Sequence, residues 1–138
     1  MYKKVNELIT LLESNGKCEV KLINRDKHNY AIETMEKLPW KRHSKRFGKI
    51  RAGENRLRVD LEVPSDSISS KEMNNAIKLP HRQDLSHTRT SHFGLTQNEK
   101  GYDTVVIQIY RKDLDDFSFE DEPFASLVNK VIDLNSAE

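Results

Sequence analysis

Between Arg56 and Val63 apolar and charged residues alternate without a break. Leu57, Val59, Leu61 and Val63 fall on one side, and Arg56, Arg58, Asp60 and Glu62 on the other. A period of two marks a strand with one buried and one wetted face. Pro64 ends the run. Upstream, Arg46 to Arg51 reads as a short strand. Ala52-Gly53-Glu54-Asn55 reads as the hairpin turn between the two, with Gly and Asn offered for positive φ.

The other elements follow from similar patterns. Val5, Leu8, Ile9 and Leu12 share one helical face, and Asn15-Gly16 stops that helix. Lys17 to Ile23 alternates, with Cys18, Val20 and Leu22 on one side, and is expected to be a strand. Tyr30 to Leu38 fits either a short helix or a strand before Pro39. Ser69 or Ser70 caps a short helix reaching about Ile77, with Glu72 in its first turn. Leu79 to Gly101 has no periodicity, and a stretch this long is expected to be a functional or disordered loop that exchanges its amides quickly. Tyr102 to Tyr110 is a strand whose Val105-Val106-Ile107 run predicts burial on both faces. Pro123 favours a last helix starting near Asp121 or Glu122, with Leu127, Val128, Val131 and Ile132 as its apolar stripe.

Together these predict a single α+β domain over residues 1–138. Its sheet is antiparallel or mixed, of about four strands, with helices near both ends. The sequence FGKIRAGENRLRVDLEVP, a short helix, a polar segment before TVVIQIY and a closing helix with a Leu-Val…Val-Ile stripe resemble the MmcQ/YjbR-like group of small α+β domains. The likeness covers about residues 45–134. It implies a hairpin feeding a late strand and a C-terminal helix, and for some members DNA binding. The chain departs from that pattern in its long Leu79–Gly101 segment and in lacking a compact glycine-containing turn before the late strand.

Charge is unevenly spread. Lys37 to Arg58 holds nine Lys or Arg against one acid, Glu54, a local charge of +8 in a chain whose formal net charge is +1. Arg111 to Glu138 carries three bases and eight acids, or −5. A basic block of this kind can hold a polyanion although the total is near neutral. Phosphate contact calls for Lys and Arg, and single-strand binding for aromatics that stack on bases. The block supplies Lys41, Arg42, Lys45, Arg46, Lys49 and Arg51, with Trp40, His43 and Phe47 interleaved. The Leu79–Gly101 segment adds Arg82, Arg89, His81, His87 and His92, plus Ser and Thr hydroxyls. If that segment folds near the hairpin, the two form one groove. The competing reading is a solvated basic face balanced by the acidic C-terminal helix, with Trp40 and Phe47 in the core.

Catalytic chemistry finds no support. His81, Asp84, His87 and His92 match no metal-ligand spacing, and surface polarity explains them. Asp60 and Glu62 share a strand face, but Pro64 stands where a nuclease-like Lys would be needed, and pairing with Arg56 and Arg58 accounts for both acids. SHTRTSH fits no His-x-Ser/Thr phosphoesterase pair, and no Gly-rich phosphate loop or nucleophile elbow is present. The lone Cys18 reads as a small buried hydrophobe. No run reaches the length of a membrane span and no signal-peptide core precedes the first helix, which points to the cytoplasm. The reading is a non-enzymatic binding module for a polyanion, nucleic acid first, without metal, cofactor or membrane. A protein-interaction module docking a charged partner is the alternative.

Overall fold

The structure, a computed structural model, describes residues 2–24, 28–35, 45–86, 90–97 and 100–136. Helix α1 (Tyr2–Glu13) is followed by strands β1 (Cys18–Asn24), β2 (Asn29–Thr34), β3 (Arg46–Ala52) and β4 (Arg56–Pro64). Helix α2 (Ser70–Ala76) leads through a 3-10 turn (Arg82–Asp84) to β5 (His92–Gln97) and β6 (Tyr102–Tyr110). A single helical turn α3 (Arg111–Leu114) and helix α4 (Glu122–Asn135) close the chain. The strands form one six-stranded sheet in the order β1-β2-β3-β4-β6-β5. Every neighbouring pair is antiparallel.

The α+β class, the terminal helices and the β3–β4 hairpin match the sequence reading. The strand number does not: six strands stand where about four were expected. Tyr30 to Leu38 resolves into β2 as far as Thr34, and residues 36–40 lie outside the described set. The larger difference is at Leu79–Gly101, which is not a bare loop. It contains the 3-10 turn and β5, which pairs with β6 from His92 to Gln97. Gly101, just before β6, takes a positive φ of +93°.

The core lies on one face only. Leu57, Val59, Leu61 and Val63 of β4 are buried, as the alternation predicts. They join Phe47 and Ile50 of β3, Val105, Ile107 and Ile109 of β6, and the inner stripes of the helices. From α1 come Val5, Leu8 and Leu12, from α2 Met73 and Ala76, and from α4 Phe124, Leu127, Val128, Val131 and Ile132. Burying these apolar surfaces is the main stabilising term, about 1.5–3 kcal/mol for each large side chain. β6 is an inner strand, yet Val106 is only half-buried, which corrects the expected burial on both faces. Helices cover one face of the sheet, so even an inner strand alternates.

Local details explain the register. Phe47 is an extra residue in β3: Ile32 pairs with Gly48 and Glu33 with Arg46, so the strand bulges there. A Cβ on Gly48 would sit 2.8 Å from the Asp60 carbonyl oxygen and 2.8 Å from Ile32 Cδ1, so only glycine lets the three strands close at the bulge. The β3–β4 turn closes through Gly53 N–H donating to the Arg56 carbonyl at 3.0 Å, and neither Gly53 nor Asn55 has the positive φ expected of it. Ser69 caps α2 in a full capping box with Glu72. Cys18 is buried, and its thiol donates to the Leu12 carbonyl at 2.9 Å.

Candidate functional site

The sheet face opposite the helices is set by pairing. Asn29 lies opposite Arg51, Arg51 opposite Arg58, Arg58 opposite Gln108, and Gln108 opposite His92. These five side chains form a polar row across β2, β3, β4, β6 and β5. The next row is Ala31, Lys49, Asp60, Val106 and Gly94. Arg56 flanks the first row opposite Tyr110.

Arg51 and Arg58 place like charges directly opposite each other, which a sheet pairs unfavourably. Arg58 is partly compensated: its Nε donates to Asp60 Oδ1 at 2.9 Å, with the side chains 32% and 20% exposed. This is the Arg–Asp pairing anticipated for β4. Arg56 instead donates to Gln108 Oε1 at 2.9 Å. Arg51 and Lys49 enter no ion pair among the described residues. Towards β1 the face changes character. Lys21 is bonded to Glu33 at 3.0 Å and Glu19 at 3.2 Å, and these two acids hold its ammonium above its ordinary pKa, Glu33 first.

At the β5 end the 3-10 turn folds over the edge of the sheet. His81 bridges to Phe93, and Phe93 N–H donates to the Pro80 carbonyl at 3.1 Å. The His81 ring meets Phe93 edge-on at 5.1 Å. A Cβ on Gly94 would lie 3.4 Å from Arg82 Cβ, so the turn rests close against β5 at this glycine. Between turn and sheet is a pocket of about 240 Å³. Its walls include Arg58, His81, Arg82, His92 and Gln108, and Val106 and Gly94 contribute its less polar part. Among the described residues no Asp or Glu lines it.

His92 is held firmly. It is 3% exposed, and its Nδ1 donates to the Thr90 carbonyl at 2.7 Å. Just before it, Ser91 Oγ donates to Asp113 Oδ2 at 2.6 Å and accepts from Tyr110 N–H at 2.8 Å, tying the start of β5 to the end of β6. Every buried side-chain N or O among the described residues has a partner. His92 Nε2 has no hydrogen bond among them, so it is reached from the pocket that His92 lines.

Of the binding residues expected from sequence, Arg46, Lys49 and Arg51 lie on β3, and Lys45 is exposed just before it. Lys49 and Arg51 share the open face with Arg58. Arg82 is at the pocket with Arg58, so the basic hairpin and the His/Arg segment do meet. Trp40, Lys41, Arg42 and Arg89 lie outside the described residues, as do His43 and His87. Phe47 is 0% exposed and belongs to the core, so it is withdrawn as a stacking residue. Arg58, Gln108 and the inward role of His92 were missed, because only the β4–β6 and β5–β6 registers bring them together. Among the described residues no group of three or more His, Cys, Asp or Glu is placed to hold a metal ion.

The acidic helix does not cover the basic face. α4 packs on the core side with α1, α2 and β4. Asp133 pairs with Lys17 at 2.6 Å, and Asp121 at the start of α4 pairs with Lys78 at 2.7 Å. No helix of the described residues is long and apolar enough to cross a membrane. No family model matches the chain, and neither a curated protein nor a solved structure matches it.

Proposed function

We propose that the protein is a non-enzymatic nucleic-acid-binding module that uses the open face of its sheet. The observation that carries the reading is the in-register Arg51–Arg58 pair, extended by Lys49, Arg56 and Arg82. Like charges face to face cost stability, and a bound phosphate between them removes that cost. Asp133 and Asp121 pair with lysines outside the basic block, and on the open face Asp60 alone among the described acids pairs with an arginine of the row, Arg58. The resemblance of residues 45–134 to MmcQ/YjbR-like domains points the same way. With Phe47 in the core, the described part of the face binds through phosphates rather than through stacking.

Exposed Leu22, Ile23 and Met35, at 47%, 45% and 51%, favour a second reading, a protein-interaction module. A titration separates the two. Wild-type protein is added to a fluorescent oligonucleotide of arbitrary sequence at a series of salt concentrations. The nucleic-acid reading expects affinity that falls linearly in log–log form as salt rises. Absence of oligonucleotide binding at low salt would falsify it and leave the protein-partner reading.

A further inference from the structure

The pocket at the β5 end holds donors on several sides. Two Arg58 Nη groups remain after its Nε bonds Asp60. Arg82 adds a second guanidinium, of which among the described residues only Nη1 is engaged, at 3.4 Å from the Leu85 carbonyl. His81 Nδ1 accepts from Gln83 N–H at 3.1 Å, so in the neutral ring its Nε2 carries the proton. Gln108 uses its oxygen on Arg56, leaving its amide NH₂. A planar carboxylate satisfies one guanidinium fork, whereas a tetrahedral phosphate with three terminal oxygens takes donors from several directions.

His92 decides which phosphate. Its Nδ1 donates to a carbonyl, so in the neutral ring Nε2 presents a lone pair to the pocket. A phosphodiester inside a chain has no proton to offer it. A phosphate monoester has a second pKa near 6. It either donates its O–H to Nε2 or yields the proton and accepts N–H in return. One hydrogen bond forms in both cases.

We propose that this pocket, formed by Arg58, His81, Arg82, His92 and Gln108, binds a phosphate monoester, and that its natural source is the phosphorylated end of a nucleic-acid strand lying on the open face. The choice of source rests on the nucleic-acid reading above. Inorganic phosphate and free mononucleotides share the chemistry, and sulfate is the control that matches the shape but carries no proton near neutral pH.

The test uses the full chain, with backbone amide shifts of His92, Gly94 and Gln108 as the local readout. Inorganic phosphate is expected to move these amides and sulfate to do so much more weakly. Two oligonucleotides of one sequence, with and without terminal phosphate, are then compared by fluorescence anisotropy. The phosphorylated one is expected to bind roughly tenfold more tightly, the scale of a charge-assisted contact. Arg82→Gln, at an exposed position, should bring the ratio near one, while Lys49→Gln should weaken both strands and keep the ratio. Equal binding of the two strands overturns the proposal and leaves the nucleic-acid reading standing. Phosphate shifts at the pocket without binding of either strand overturn the nucleic-acid source and point to a free phosphorylated ligand. No phosphate shift overturns the site itself.

Discussion

On β4, Leu57, Val59 and Leu61 are sealed beneath the helices, while Arg58 and Asp60, one position away, reach the open face. The two faces are built from alternate residues of the same strands, yet they tolerate different things. The covered face brings residues from α1, α2, α4 and the strands into one cluster of buried side chains. The open face sets two arginines opposite each other and leaves Arg51 and Lys49 without an ion pair among the described residues. The covered face therefore carries the fold, and the open face is available for a ligand.

The sharpest way to break this division is to damage the covered face. Phe47→Ala is expected to cost about 3–5 kcal/mol and Leu61→Ala about 2–4 kcal/mol in denaturant unfolding, since each leaves a cavity. Losses below 1 kcal/mol at both positions would mean that the assigned core face is wrong.

A second probe asks whether the seal extends to β1. Burial, and then the Glu13 charge, push the Cys18 thiol up to about 11. A folded-state value raised above the ordinary 9.0 contributes stability below that pH and loses it as pH climbs from 9 towards 11. Thiol alkylation at pH 8 should be slow in the native protein and fast in denaturant, followed by mass shift. Rapid native labelling would show that the core is open at this edge.

Smaller effects are expected further out. Ser69→Ala removes the capping box of α2 and should cost about 1 kcal/mol. Arg51→Gln should change stability by less than about 0.5 kcal/mol, and any change should be a gain, since it relieves the pair with Arg58. A marked loss at Arg51 would place a structural role where the comparison assigns none.

Sequence alone could reach the covered face because burial there follows period. Leu57–Val63, the α1 stripe and the α4 stripe each repeat long enough to fix face and type. β5 escaped notice because Gly94 interrupts a short stretch with only Phe93 and Leu95 as alternating apolars, and β6 imposes its strand form. Sequence left Phe47 open between stacking and the core because a one-residue bulge is not visible in composition, and the bulge is what turns it inward. The pocket was legible only in part. Arg82, His81 and His92 stood out as chemistry-bearing residues, but their meeting with Arg58 and Gln108 depends on pairings between strands far apart in sequence.

The central claim is that the Arg51–Arg58 row contacts phosphate while contributing little to the fold. Its most direct test is the salt dependence of oligonucleotide affinity for wild type and for the double variant Arg51→Gln/Arg58→Gln, with thermal unfolding recorded alongside. Loss of two phosphate contacts predicts a log–log slope shallower by about 1.4–1.8, with the melting temperature lowered only slightly, because the Arg58–Asp60 pair is lost while the Arg51–Arg58 repulsion is relieved. A double variant that keeps the wild-type slope, or that loses binding only because it unfolds, would contradict the account.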